Sequence, residues 1–182
     1  MNLLCGGLQI RHAEGADAEQ LCRWWNDGTV MAHAGFPDGL GTTPEHIRGD
    51  LSRDSGEAGR RLMIMLDGCT IGEMNYARVD GRCAKIGINI CDTAAQEKGY
   101  GTRLIAMLLE TLFMHYGYDT VVLDTNLKNE RAQHVYEKKL GFRRVGVRVN
   151  AWRDQRGEWQ SAVDFALCKA NWLTDGKRPY SL

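Results

Sequence analysis

The consecutive residues Gln96-Glu97-Lys98-Gly99-Tyr100-Gly101-Thr102 have the types and spacing of an anion cradle. Two glycines, one residue apart, follow an apolar run and open a strongly periodic segment, Arg103 to Tyr116. Glycine lacks Cβ, so the backbone can turn tightly there and be approached closely. The first turn of a helix leaves N–H groups without intrahelical partners, and the helix dipole adds partial positive charge to them. A strand, a glycine turn and a helix start therefore suit a phosphate. On this stretch alone, an ordinary strand-to-helix connection with incidental glycines remains the alternative.

The elements needed to hold such a turn are legible around it. Leu8 to His12 alternates apolar and polar and reads as a first strand. Asp17 can cap a helix carrying Leu21, Trp24 and Trp25, which ends near Asn26-Asp27-Gly28. Thr29 to Leu40, with His33, has no clean period and reads as a loop, either a pocket cover or a plain connection. Thr43-Pro44-Glu45 is a helix start, with a hydroxyl cap followed by proline where its missing N–H costs nothing. A polar loop, Asp54 to Gly59, precedes the apolar run Leu62 to Leu66. Asp67-Gly68 then signals a two-residue hairpin, Thr70 to Val79 returns, and Asp80-Gly81 offers a second turn into the alternating Lys85 to Ile90. Three antiparallel strands thus feed the glycine turn.

After it, Leu104, Ile105, Leu108, Leu109, Leu112, Phe113 and Tyr116 form one broad apolar stripe that must face a sheet. Asp119 to Thr125 reads as a central strand, parallel to the one before the helix. Asn129 caps a helix ending at Gly141, and Phe142 to Trp152 with Glu158 to Cys168 make a final hairpin. The tail from Asn171 reads as peripheral.

Composition narrows the class. A chain of 182 residues, 43% hydrophobic and 25% charged, suits one soluble domain over residues 1–182. Its 23 basic and 23 acidic side chains cancel, so no global field favours nucleic acid or an anionic membrane. The cysteines Cys5, Cys22, Cys69, Cys83, Cys91 and Cys168 form no C-x-x-C pair and read as small buried hydrophobes in a reducing compartment, with no metal site. Met1 to Ile10 lacks a secretory pattern and no run approaches a membrane span, so the expected location is cytoplasmic.

Two blocks in this order resemble the GNAT superfamily of acyl-CoA-dependent N-acyltransferases. Gln96-Glu97-Lys98-Gly99-Tyr100-Gly101 is similar to that family's pyrophosphate loop. Asn129-Glu130-Arg131-Ala132, Tyr136-Glu137-Lys138 and Leu140-Gly141-Phe142 resemble its second block. The resemblance covers residues 8 to 168. It implies an α/β (α+β) fold with a mixed, mostly antiparallel central sheet and helices on both faces. It also implies acetyl transfer from acetyl-CoA to a small-molecule or peptide amine by direct attack within a ternary complex, in a monomer or homodimer.

Under that resemblance, the backbone from Gln96 to Thr102 holds the pyrophosphate of coenzyme A, with Lys98 or Arg103 adding charge. The strands Ile86 to Cys91 and Asp119 to Asn126 splay, and backbone groups at Ile90 and Cys91 bond the pantetheine arm. Asn129 and Ala132 lie beside the arm. Tyr136 is the expected proton donor to the departing thiolate, with a core aromatic as the alternative. Glu73 and Asp124 are both candidates for the base that frees the amine, and both read equally as surface carboxylates. Asn126 either orients the amine, bonds the cofactor or ends its strand. His33 and His134 qualify only by type. A non-catalytic acyl-CoA-binding module on the same fold is the competing function. A nucleotide-binding doubly wound sheet does not suit the antiparallel meander. Trp24 to Leu40 and the last hairpin, with Trp152 and Trp159, are expected to shape the acceptor pocket.

Overall fold

The computed structural model describes residues 1–54 and 59–174; most of the expected 54–59 loop and the end of the tail lie outside the described residues. Strands Asn2–Cys5 (β1), Leu8–His12 (β2), Gly59–Leu66 (β3), Cys69–Asp80 (β4), Cys83–Ile90 (β5), Thr120–Asn126 (β6), Arg143–Arg153 (β7) and Trp159–Cys168 (β8) form one sheet. Their order is β1-β2-β3-β4-β5-β6-β8-β7. Every pairing is antiparallel except β5 with β6. The helices are Ala18–Trp25 (α1), Gly28–Met31 (α2), Pro44–Arg53 (α3), Tyr100–Glu110 (α4), Glu130–His134 (α5) and Lys169–Thr174 (α6).

Strand alternation divides the core between the two faces. On β3, Leu62 and Ile64 point to the face that buries Leu104, Leu108, Leu109, Leu112 and Phe113. Met63 points the other way, into a second cluster with Leu21, Ile47 and Leu51. Helices α1 and α3 therefore cover one face, and α4 and α5 the other. Each fully buried leucine or phenylalanine of the α4 stripe contributes about 1.5–3 kcal/mol of burial. The helix carries on past Glu110 as a π-turn over Thr111–His115, closed by Tyr116 N–H donating to Thr111 O and by Gly117 at φ +73.

Local signals set most boundaries. Thr43 Oγ accepts from His46 N–H at the start of α3, with Pro44 in its first turn. Asp67 at φ 48 and Gly68 at φ 84 make the primed two-residue turn that suits twisted strands. Asp17 precedes α1 as expected, but its carboxylate does not cap that helix. It holds Arg11 through two bonds of 2.7 Å and accepts the Glu14 N–H at 2.8 Å. The Arg11 guanidinium and the Glu14 N–H hold the Asp17 carboxyl below its usual range, against the desolvation that pushes it up.

Four further expectations are corrected. A strand, β1, precedes the expected first one, joined to it by Gly6 and Gly7, both at positive φ. The segment Thr29 to Leu40 contains α2 and a 3-10 turn, Ala32–Ala34. The tail is not peripheral up to Thr174: Trp172 is buried, its ring 6.4 Å from Phe113, and its indole N–H donates to Glu110 at 3.2 Å. All six cysteines are free thiols, but only Cys91 is buried; Cys69 and Cys168 lie at strand ends, where they are exposed.

Candidate active site

The parallel register between β5 and β6 covers only Cys83↔Thr120, Ala84↔Val121 and Lys85↔Val122. Beyond Lys85, β5 runs on to Ile90 and β6 to Asn126 without pairing, so the strands splay. The phase of the β4–β5 ladder decides which backbone groups face that gap. Cys91 N–H donates to Ile71 O at 2.9 Å, toward β4. In an antiparallel ladder the hydrogen-bonded pairs alternate, so Asn89 and Gly87 also turn to β4. Ile86, Ile88 and Ile90 turn their N–H and C=O groups toward β6. The Ile90 carbonyl accepts from the Gln96 side chain at 2.8 Å, in agreement with that phase.

Cys91 therefore departs from the sequence expectation, because its N–H is committed to Ile71. Ile90 and Ile88 are the residues whose N–H groups face the gap. Gln96 is an anchor: its amide ties the loop to the end of β5. Gly99 then enters α4 at φ +78, a conformation in which a side chain is strained. The N–H groups of Tyr100, Gly101 and Thr102 occupy the first helical turn, where no intrahelical acceptor exists. A Cβ at Gly99 would meet nothing within 4 Å, and one at Gly101 only Ile90 Cδ1 at 3.7 Å, so this side of the turn is open to a bulky anion. Glu97 pairs with Arg131 across the entrance at 3.1 Å, and Lys98 is exposed. The Arg103 guanidinium donates to Cys5 O at 3.2 Å on the β1–β2 hairpin.

Past the splay lies a cavity of about 1070 Å³. Its walls include Ile88, Asp124, Asn126, Asn129 and Tyr136 from the gap, and Trp25, Glu73, Asn75 and Asn89 from the opposite sheet face. Val30, Met31, His33 and Leu40 cover it, with Trp152 of β7 at one end. The cover is pinned to the β7–β8 turn: Gln155 bonds the Gly39 carbonyl at 2.7 Å and the Asp38 N–H at 3.0 Å, and Arg156 pairs with Asp38 at 2.5 Å. Trp24 packs instead against the cluster under α1, and Trp159 is exposed beneath the Arg153 guanidinium at 4.5 Å.

The titratable candidates separate on their partners. Glu73 lies half-buried on the wall, and its Oε1 accepts the Trp25 indole N–H at 2.7 Å. Desolvation pushes its carboxyl above the usual range, opposed by the Trp25 bond and by Arg61. Asp124 has both oxygens occupied by cations, Lys85 at 2.6 Å and Arg148 at 3.1 Å, and Arg148 is held in turn by Asp164. Tyr136 is buried against Phe165 and Phe142, with ring centroids 5.5 and 6.1 Å away. Burial, with Asp124 adding negative charge nearby, pushes its phenol up to about 12. It therefore keeps its proton at neutral pH.

The remaining candidates are structural at their side chains. Asn126 spends its amide on Gln160 at 3.0 Å and on the Lys128 N–H at 2.9 Å, which fixes the turn after β6. Asn129 caps α5 by accepting the Ala132 N–H at 3.2 Å and also lines the cavity. Ala132 is thereby committed to the cap. His33 reaches the cavity from its cover, whereas His134 is exposed and outside it. Asn75 and Asn89 on the wall, and Trp25 as the partner of Glu73, were not among the expected site residues. The polar alternation of Glu73 and Asn75 against buried Met74 and Tyr76 was the available signal for Asn75.

The family model described as the acetyltransferase (GNAT) domain matches residues 8–143. The chain belongs to the GNAT acetyltransferase family. Solved structures agree with this assignment at the level of the fold. A spermidine N-acetyltransferase from Vibrio cholerae, in complex with CoA and spermine, superposes with a TM-score of 0.80 at 22% identity, over 92% of this chain and 99% of that one. A GNAT-family acetyltransferase from Bacillus anthracis gives 0.78 at 21% identity, over 93% and 99%. No curated protein matches the sequence significantly. As a GNAT acetyltransferase this is an enzyme of acetyl transfer, and acetyl-CoA is the donor that GNAT acetyltransferases use. The glycine turn, the open first turn of α4 and the unpaired β5 edge fit that donor. No helix of the described residues is long and apolar enough to cross a membrane.

Proposed function

We propose that this chain is a cytoplasmic N-acetyltransferase, a single domain over residues 1–182, that transfers the acetyl group of acetyl-CoA to a primary amine by direct attack in a ternary complex. The observation that carries the reading is the joining of the β5–β6 splay to a cavity that holds a half-buried carboxylate without an ion-pair partner, Glu73, and a buried phenol, Tyr136. Bound acetyl-CoA supplies an electrophilic thioester carbon and a thiolate leaving group.

The residues of the chain divide the remaining work. The N–H groups of Tyr100, Gly101 and Thr102 hold the pyrophosphate, supported by the helix dipole. The N–H groups of Ile88 and Ile90 bond the arm along the β5 edge. Glu73 takes a proton from the acceptor ammonium, directly or through one water, and its elevated proton affinity brings it nearer to operating pH. Tyr136 stays protonated and gives its proton at the sulfur. Asp124 is the weaker candidate for the base, since its two oxygens are already held by Lys85 and Arg148. Asn129 holds the start of α5, and with it Tyr136, against the gap.

Calorimetry with coenzyme A, followed by amine-dependent thiol release from acetyl-CoA, tests the reading. Binding followed by stoichiometric N-acetylation is the expected result. Binding without transfer to any amine would instead establish a non-catalytic acyl-CoA-binding module.

A further inference from the structure

The charges around the acceptor side of the cavity are unevenly compensated. Asp50 pairs with Arg53 and stands 3.6 Å from Arg61 and 3.8 Å from His46. Asp54 pairs with Arg61 at 2.6 Å and also accepts the Arg61 N–H at 2.8 Å. Asp124 is held by Lys85 and Arg148. Among the described residues, Glu73 is the one carboxylate of the cavity wall with no cation within ion-pair distance; its partner is the neutral Trp25 indole. That indole occupies Oε1 and leaves Oε2 for a ligand. The cover brings three apolar side chains to the cavity, Val30, Met31 and Leu40, beside one imidazole, His33.

We infer that the acceptor is a primary monoamine with an apolar body, bound through Glu73 Oε2, and not a polyamine. The inference rests on the N-acetyltransferase reading and names its substrate class. A single ammonium finds one carboxylate without an ion-pair partner, Glu73, and gains a charge-assisted hydrogen bond there. A second or third ammonium would meet the apolar cover or the carboxylates Asp50, Asp54 and Asp124, each already paired with a cation, and its lost hydration would be poorly returned. An alkyl or aromatic body would remove the cover's apolar surface from water. The structural relative that binds spermine shares the fold, and the balance of charge in this cavity argues for a different acceptor.

The test compares isoamylamine, benzylamine, spermidine and a peptide with an N-terminal leucine as acceptors at saturating acetyl-CoA, for the wild type and for Leu40→Glu. Leu40 lies on the cavity wall and is 39% exposed, so a carboxylate there is compatible with folding. The wild type is expected to use isoamylamine and benzylamine with kcat/KM at least tenfold above that for spermidine. Leu40→Glu is expected to narrow that ratio at least tenfold by supplying a second carboxylate. Acetylation of the peptide at a comparable rate would place the monoamine on a chain terminus; its absence would place it on a free small molecule. A wild-type preference for spermidine, or a Leu40→Glu variant with an unchanged ratio, would overturn the inference while leaving N-acetyltransfer intact. Coenzyme A binding with no acetylation of any amine would overturn both.

Discussion

Trp25 Nε1 donates to Glu73 Oε1 at 2.7 Å, joining the end of α1 to the middle of β4 across 48 residues of chain. A donor aimed at a carboxylate favours its charged form, while the desolvation around Glu73 favours the neutral one. Trp25→Phe keeps most of the ring and removes the donor, so the Glu73 carboxyl moves further up. If Glu73 must be deprotonated to act, the acidic limb of kcat/KM moves to higher pH once the hydrogen bond to its charged form is lost. A pH–rate profile of the two proteins checks this. A limb that stays in place would remove Trp25 from the tuning of Glu73.

Asp124 is expected to tolerate neutralisation. Its oxygens are tied to Lys85 and Arg148 in a partly exposed network, and such pairs contribute about 0–1 kcal/mol. Asp124→Asn should keep turnover within about tenfold of wild type, less than the loss expected for a general base. Steady-state kinetics at pH 7 decide it; a loss of a thousandfold would return the base to Asp124.

Tyr136→Phe removes one oxygen from a ring already packed on Phe142 and Phe165, so the fold should survive. Turnover is expected to fall about a hundredfold or more, the usual worth of a positioned proton donor. Coenzyme A affinity by calorimetry should be unchanged. Weaker binding at full turnover would make Tyr136 a packing residue.

Gly99→Ala tests the turn itself. The added Cβ meets open space, so the cost is conformational: φ +78 disfavours an L side chain by about 1–2 kcal/mol. A melting point lower by roughly 2–8 °C is expected for a chain of this size, together with weaker coenzyme A binding. Unchanged affinity would separate the cradle from the glycine's conformation.

Much of the fold was legible because its signals are local. Asp67-Gly68, Thr43-Pro44 and the Leu104 to Phe113 stripe each encode a turn, a cap or a buried face within a few residues. The site was less so, since long-range partners decide each role. Glu73 and Asp124 look alike in sequence, and only Trp25 at one and Lys85 with Arg148 at the other distinguish them. The commitment of Cys91 N–H to Ile71 depends on ladder phase, which strand alternation alone does not set. Lys98 or Arg103 was the expected extra cation of the cradle, and the bond from the Arg103 guanidinium to Cys5 O, 98 residues away, has no local signal. Trp172 was likewise invisible as core, because its partner Phe113 lies on the far helix.

The most direct measurement is amine-dependent thiol release from acetyl-CoA by wild type and Glu73→Gln, with the acetylated amine quantified by mass. The expected result is stoichiometric thiol and N-acetyl product for wild type and, for Glu73→Gln, a kcat/KM lower by about 10²–10⁴-fold with coenzyme A affinity retained. Glu73→Gln turning over like wild type, or wild type binding coenzyme A without amine-dependent release, would contradict it.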